Sequence, residues 1–362
     1  MSLLKFKVLG VMSGTSLDGV DCAVVEFSKE NDNWNFKLLQ GETISYTINW
    51  FQKLKEAYQL NENDLHLLDI GYTYYLSEIL NDFINKNDLN DLDFVSSHGH
   101  TILHQPENGY TLQIGNLPLI ADLINLPFVC DFRVQDVQLG GQGAPLVPIG
   151  DELLFADYDY CLNLGGFSNI SFKRAGKRIA FDICPVNTLL NFYAEKLGAS
   201  YDDAGIWASQ GSINNSLLRA LNELPFYNVY EPKSLGIEQV NDVYLPLIAS
   251  YNLNEHDCLA TIIEHIAFQV SKAIHIKTAK VLITGGGAFN TFLIQRINVQ
   301  LPNTQLVVPS NEIINFKEAI IFAFLGVLRV CNSINVLSSV TGASRDHCSG
   351  NIFNRDLLRC GC

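Results

Sequence analysis

Residues 8–26 read VLGVMSGTSLDGVDCAVVE. An apolar run enters, a loop of small and polar residues turns it, and a second apolar run leaves, which predicts a β-hairpin. Gly14 and Gly19 bracket Thr15, Ser16, Leu17 and Asp18. Little side-chain bulk then stands between the loop's backbone N–H groups and an approaching anion, and Thr15 and Ser16 add hydroxyl donors, so the loop suits phosphate. Asp18 is anionic at neutral pH; it should hold a metal, a water or a neighbouring hydroxyl rather than the phosphate. The competing reading is an ordinary glycine-containing hairpin.

Residues 160–172, YCLNLGGFSNISF, repeat the plan: strand, small-residue turn, strand. Two hairpins of one type, each opening a segment of similar size, predict a duplicated architecture. Gly165 and Gly166 would admit phosphate from a second side. A third glycine turn, Gly285, Gly286 and Gly287, follows the apolar start of VLITGGGAFN, residues 281–290. No Walker lysine follows these loops and none matches G-x-G-x-x-G, which sets aside P-loop and dinucleotide-binding readings. Ser13 lies in G-x-x-S-G rather than G-x-S-x-G, which argues against a serine hydrolase.

A chain of 362 residues predicts two domains, and 48% apolar with 17% charged content describes a packed globular protein. The 24 Lys+Arg against 38 Asp+Glu leave a formal charge of -14, a surface that repels nucleic acid and anionic lipid. No apolar run approaches the ~18–20 residues of a membrane span. The opening MSLLKFKVLG carries Lys5 and Lys7 and no cleavage site, so it reads as a first strand rather than a signal peptide. Nine cysteines without a CxxC pair indicate reduced thiols in the cytoplasm, with Cys360 and Cys362 in a tail.

Between the hairpins, strands are expected at residues 34–39 and 42–46, and helices at 51–59 and 65–85 with Asp64 as N-cap. A short strand at 94–96 should end in the turn SHGHTILHQP. His98, His100 and His104 there lack a carboxylate or cysteine at a ligand interval, so a metal is not expected; polar groups at a strand's end suit substrate holding. DFRVQDVQLGGQGAPLVP, residues 131–148, offers Arg133 either to an anionic group or to Asp136. Its Gly140, Gly141 and Gly143 make it the expected linker. In RIAFDICPVNTLLNFYAEKLG, residues 178–198, a strand ends at 179–181 and Pro185 opens a helix. Asp182 between them is then a general base or a helix cap, and Cys184 a packed thiol. Helices follow at 259–277 and 316–330; Glu318 in the second needs a partner or solvent.

GVMSGTSLDGVD, SHGHTILHQP, TLQIGN, DFRVQDVQLGGQGAPLVP, LNLGGFSNIS, KSLGIE, GGGAFN, NFKEAIIFAFLG and VTGAS occur in the order seen in anhydro-N-acetylmuramic acid kinases. The chain resembles that family over essentially its whole length. The resemblance implies an α/β, two-lobed fold of the actin, hexokinase and Hsp70 class, a duplicated ribonuclease H-like arrangement with ATP in the interlobe cleft. It implies a first lobe of residues 1–133 with a return at about 346–362, a second lobe of 134–345, and lobes that close on ligand about the GGQGAPLVP stretch. The implied activity uses ATP and Mg²⁺ to open the 1,6-anhydro ring of anhydro-N-acetylmuramic acid and phosphorylate O6, giving N-acetylmuramic acid 6-phosphate in cell-wall recycling; a homodimer goes with it.

Residue by residue, Gly14, Thr15, Ser16, Leu17, Asp18, Gly19, Val20 and Asp21 match the family's ATP-phosphate loop. Gly165, Gly166 and Asn169 match its second phosphate loop, and Gly285, Gly286 and Gly287 its nucleotide-side glycine loop. Asp182 matches the catalytic aspartate that activates water for attack on the anomeric carbon. His98, Thr101, Arg133 and Asn187 fall in motifs on the substrate side. The family's FDTGPGN stands here as FDICPVN, its HGQT as HGHT and its KSTGRE as KSLGIE. These departures are expected around the sugar, and they raise two alternatives: a divergent kinase for another amino sugar, or a non-catalytic ATP-binding sensor.

Overall fold

The computed structural model describes residues 4–14, 16–229, 232–276 and 278–358. In chain order the strands are β1 (Leu4–Ser13), β2 (Val20–Glu30), β3 (Asn33–Ile44), β4 (Phe94–Gln105), β5 (Tyr110–Ile114), β6 (Phe128–Cys130), β7 (Tyr160–Leu164), β8 (Phe167–Arg174), β9 (Lys177–Pro185), β10 (Lys280–Thr284), β11 (Gln305–Val307) and β12 (Asn351–Phe353). The chain divides into two compact units, residues 1–154 with 316–362, and residues 155–315.

In the first unit the sheet runs β12-β6-β4-β1-β2-β3, with β5 added on β4. β1, β2 and β3 form an antiparallel meander, β4 lies parallel to β1, and β6 parallel to β4. In the second unit the sheet runs β11-β10-β7-β8-β9. There β7, β8 and β9 form the meander, β10 lies parallel to β7 and β11 parallel to β10. With the hairpin strand β5 and the return strand β12 set aside, the first sheet keeps the order β3-β2-β1-β4-β6, and the second the matching order β9-β8-β7-β10-β11. This is the duplicated ribonuclease H-like arrangement of the actin and hexokinase class, and the two echoing hairpins are its two opening turns.

Long crossover helices bury the sheets. Glu62–Lys86 packs Tyr72, Leu76, Leu80 and Phe83 against Leu9, Val11 and Val95. Its N-cap is Asn61, whose side-chain oxygen accepts from the Asp64 N–H at 3.1 Å, so Asp64 is in the first turn rather than at the cap. In the second unit Glu255–Ala273 buries Leu259, Ile262, Ile263, Ile266 and Val270 with Leu162, Ile170 and Ile283. The two strands expected at 34–39 and 42–46 are the single strand β3. Val24 faces Gln40 while Val25 faces Leu38, so Leu39 is an extra, bulged residue that does not end the strand.

The unit boundaries differ from those expected at 133 and 346, and a buried carboxylate gives the reason. Asp136 accepts from the Gly143 N–H at 2.7 Å and from the Thr341 hydroxyl at 2.7 Å. A Cβ on Gly141 would lie 2.2 Å from Asp136 Oδ2, so the glycine stretch wraps this carboxylate and ties 136–143 to 341. The following helix Pro148–Leu153 is joined to the helix Asn311–Val330 by the buried Lys317–Asp151 pair at 2.7 Å. GGQGAPLVP is therefore folded into the first unit, and the chain leaves that unit only after Leu154. Asp136→Ala is expected to cost about 3 kcal/mol, from two orphaned donors and a small cavity. Urea unfolding at unchanged slope measures it; a midpoint equal to wild type would contradict the assignment.

Among the described residues, no helix is long and apolar enough to cross a membrane. Cys22, Cys130, Cys184 and Cys258 are buried free thiols, while Cys360 and Cys362 lie outside the described residues.

Candidate active site

In the first unit β1, β4 and β6 run in one direction, so their C-terminal ends share one edge of the sheet. Ser13, the 98–105 stretch and the 131–133 turn meet there. The loop after Ser13 turns through Leu17, whose N–H donates to the Gly14 carbonyl at 3.2 Å. Leu17 has φ 61°, a left-handed conformation that costs a branched side chain. Gly19 has no room for a side chain, since a Cβ would stand 2.4 Å from the Ile44 carbonyl oxygen. Gly14, Ser16 and Asp18 complete the turn; Thr15 lies outside the described residues. Val20 and Asp21 are already on β2. Val20 is buried opposite Ser13, and Asp21 Oδ1 accepts from the Thr43 hydroxyl at 2.6 Å.

Ser13 is a hub that sequence reading weighed only as a nucleophile. Its Oγ meets His100 Nδ1 at 2.7 Å, accepts from the Tyr72 hydroxyl at 3.1 Å and is hydrogen-bonded to the Tyr46 hydroxyl. Burial pushes His100 down to about 4 and the Tyr72 phenol well above its ordinary value, so the network is neutral. The residue before the glycine loop is thus fixed from β4, from the helix Glu62–Lys86 and from the segment after β3. Tyr72 is wholly buried on its helix, and its hydroxyl is the part of it that serves this network.

The strand expected at 94–96 runs to Gln105. Val11 faces Ser97 and Ser13 faces His100, so β4 carries one extra residue and bends past Gly99, which has φ 76°. His98 and His100 therefore flank a bulge within a strand rather than sit in a turn. His98 Nε2 accepts from Arg133 Nε at 2.8 Å, and burial followed by the Arg133 charge holds the ring neutral. Arg133 also donates to the Gly143 carbonyl at 2.6 Å and makes no ion pair with Asp136. Burial lowers the guanidinium to about 10, opposed by Glu318 first and Asp136 second. Glu318 reaches the surface of its helix; desolvation raises its carboxyl, opposed by the Arg133 charge and then by that of Lys317. Thr101 stands apart from the His98–Arg133 pair, opposite Gln113, whose amide donates to its hydroxyl at 3.4 Å. His104 meets the Thr111 hydroxyl at 3.1 Å, so the three histidines take three different partners.

In the second unit β7, β9 and β10 share one direction, and their ends gather the other candidates. The Gly165 carbonyl accepts from the Asn187 N–H at 3.2 Å, and the Gly166 carbonyl from the Val186 N–H at 2.8 Å. Gly285 has φ 82°, and a Cβ there would stand 2.4 Å from Asn163 Oδ1. A Cβ on Gly287 would be 2.8 Å from Leu164 Cβ, and one on Gly286 3.3 Å from Asn187 Nδ2. Asn187 Nδ2 in turn donates to the Leu164 carbonyl at 3.2 Å. The two glycine turns thus pack side by side with Asn187 wedged between them, a backbone-lined cradle of the kind a phosphate chain needs.

Across the same sheet Asn163 faces Asn169 and Asn169 faces Asp182. The adjacent row, Leu162, Ile170 and Phe181, is buried, so the polar row lies on the opposite face. Asn163 was missed; its signal is the alternation that places an asparagine on each arm of the Gly165–Gly166 hairpin.

Asp182 is not a helix cap. β9 continues to Pro185, which pairs with Phe167 as a strand residue, and the helix Asn187–Lys196 is capped at Val186. The strand expected to stop at 181 is prolonged by a bulge: Asn169 faces Asp182 and Ser168 faces Cys184, leaving Ile183 unpaired. Asp182 Oδ2 accepts from the Leu235 N–H at 2.9 Å, and its own N–H donates to the Lys233 carbonyl at 2.9 Å. Burial pushes the carboxyl above the usual carboxylate range and the Leu235 N–H pulls it back.

The departures Ile183, Cys184 and Val186 were expected around the sugar. Their side chains instead enter the core of the second unit, at 3%, 0% and 0% exposure, beside Leu189. Val186 has a negative φ of -123°, so the position does not call for the left-handed conformation that favours glycine. Cys184 is a packed thiol: Ser168 Oγ lies 3.3 Å from its Sγ, and burial pushes it up to about 12.

The family model described as Anhydro-N-acetylmuramic acid kinase matches residues 6–355. The protein of that name from Haemophilus influenzae is 33% identical over 96% of this chain and 98% of its own length. The one from Shewanella loihica is 33% identical over 96% and 99%, and the one from Hydrogenovibrio crunogenus 34% over 96% and 97%.

Proposed function

The chain belongs to the anhydro-N-acetylmuramic acid kinase family, and from that premise we propose that it uses ATP to open the 1,6-anhydro ring of anhydro-N-acetylmuramic acid and phosphorylate O6. The observation that carries the reading is Asp182. It is a half-buried carboxylate with one oxygen held, on the polar face of the second sheet, beside glycine turns whose backbone a side chain would block.

In this reading Asp182 takes a proton from water as the water oxygen bonds to the anomeric carbon. The bond from that carbon to O6 breaks, and O6 accepts the γ-phosphoryl group with ADP leaving. Gly165, Gly166, Asn169 and Gly285 to Gly287 serve the nucleotide phosphates. Gly14 to Asp21 do the same in the first unit, with Val20 contributing through backbone because its side chain is buried. His98 and Arg133 act together on the sugar side. Asn187, wedged among glycines, belongs with the phosphate turns rather than with the sugar, and Thr101 has the weakest case. Mg²⁺ would supply charge neutralisation on the phosphates; Asp18 and Asp21 are the carboxylates of the first loop suited to hold it, and such sites use one or two carboxylates with phosphate oxygens. The setting is cytoplasmic.

The test mixes the protein, ATP, Mg²⁺ and the anhydro sugar and looks for the 6-phosphate by mass spectrometry. Product is expected only with all components. Turnover of a reducing amino sugar but not of the anhydro sugar would replace this substrate with another.

A further inference from the structure

The segment KSLGIE, residues 233–238, is one of the departures expected around the sugar. It runs alongside β9, and both of its contacts with Asp182 are made by backbone. The Asp182 N–H donates to the Lys233 carbonyl at 2.9 Å, and the Leu235 N–H donates to Asp182 Oδ2 at 2.9 Å. Among the described residues Asp182 Oδ1 has no hydrogen-bond partner, and it is not among the buried polar atoms. The two oxygens of one carboxylate are therefore unlike: one is held, the other is open.

The strap is itself anchored. Lys233 Nζ donates to the Phe226 carbonyl at 3.3 Å and lies over the Phe226 ring at 4.5 Å. The next residue, Tyr227, is hydrogen-bonded through its hydroxyl to the Tyr244 hydroxyl and to His265 Nε2, each at 2.8 Å. His265 is wholly buried on the helix Glu255–Ala273. The position of the Leu235 N–H is thus fixed by the core of the second unit.

We propose that the Leu235 backbone N–H is the positioning donor of the reaction, holding Oδ2 of Asp182 so that Oδ1 is the oxygen that takes the proton. The proposal rests on the reading of Asp182 as base. It explains why a leucine is tolerated in KSLGIE: the group that matters is carried by the backbone of any residue but proline. A donor to the charged carboxylate also favours its ionised form, so it keeps the base available at lower pH. Around it, Asn169 lies across the strand, the Lys233 ammonium is turned to Phe226, and the nearby Cys184 thiol is kept protonated by burial.

The test compares Leu235→Ala, which trims the side chain and keeps the N–H, with Leu235→Pro, which removes the N–H. The proline variant is expected to fall about 10–100-fold below the alanine variant in kcat, with the KM for ATP little moved. Its acid limb should shift to higher pH by about half a unit to one unit. An activity-independent readout is the carbon-13 titration of the aspartate carboxyls, with the Asp182 signal identified by its loss in Asp182→Asn; it should move up in the proline variant and not in the alanine one. Where circular dichroism shows the proline variant unfolded, one glycine inserted between Ser234 and Leu235 moves the donor instead and carries the same expectation. Equal kcat and equal titration in the alanine variant and in the folded proline or insertion variant would overturn the proposal while leaving Asp182 as base. An active Asp182→Asn would instead remove the base itself.

Discussion

Asp182→Asn is expected to lower turnover by about 10²–10⁴-fold or more, with ATP affinity nearly unchanged. Asparagine keeps the size and still accepts from the Leu235 N–H, so positioning survives and only the proton acceptor is lost. The rival account, in which Asp182 caps a helix, would have left activity intact because asparagine caps as well as aspartate. That account fails on geometry, since β9 runs on to Pro185 and Val186 holds the cap position. The pH dependence has a definite sign. The base must be ionised, so activity is lost as pH falls through its pKa. Burial raises that pKa, so the loss begins at higher pH than for an ordinary aspartate. Rates from coupled ADP release and ATP affinities from calorimetry on the same preparations decide the matter. A variant within a few-fold of wild type would sink the catalytic role.

The architecture was legible in the sequence where a pattern was local. The two hairpins with small-residue turns declare the two meanders, and 3.6-residue spacing gives the long helices. What was not legible depended on strand irregularity and on distant partners. β-bulges at Leu39, near Gly99 and at Ile183 each break the two-residue alternation, so strands were split, stopped early or ended before Asp182. The bulge at Ile183 has the largest consequence. It turns Ile183, Cys184 and Val186 into the core, and so removes the reason these residues gave for a changed sugar pocket or a lost activity. The GGQGAPLVP stretch misled for another reason. Glycines and prolines signal a linker, but here they make room for a buried carboxylate 2.2 Å from where a Cβ on Gly141 would be. Ser13 as a hub required His100, Tyr46 and Tyr72 to converge from separate elements, which no short window of sequence contains.

Gly10→Ala is expected to destabilise the first unit by about 3 kcal/mol or more. Gly10 lies mid-strand on β1, where its conformation asks nothing special of glycine. The constraint is distance. A Cβ would stand 2.1 Å from the Ala319 carbonyl oxygen and 2.8 Å from Ala323 Cβ, both on the helix Asn311–Val330. The same helix brings Gly326 against Ser96, where a Cβ would be 2.5 Å from Oγ, and Ser96 Oγ donates to the Phe322 carbonyl at 2.6 Å. Sheet and helix are therefore in near-backbone contact along one line of small residues, and a methyl group can enter only by displacing the helix. Two comparisons separate this from ordinary glycine strain. Gly140 has φ 81° with nothing within 4 Å of a Cβ, so Gly140→Ala should cost only about 1 kcal/mol. Adding Ala323→Gly to Gly10→Ala should recover little, because the Ala319 carbonyl is backbone and stays where it was. Chemical denaturation of the three variants gives the ranking, and equal midpoints for Gly10→Ala and Gly140→Ala would refute the close contact. Turnover should fall with stability in Gly10→Ala. β1 leads directly to Ser13 and the glycine loop, and the displaced helix carries Glu318, so the loop and a charge beside Arg133 would shift together.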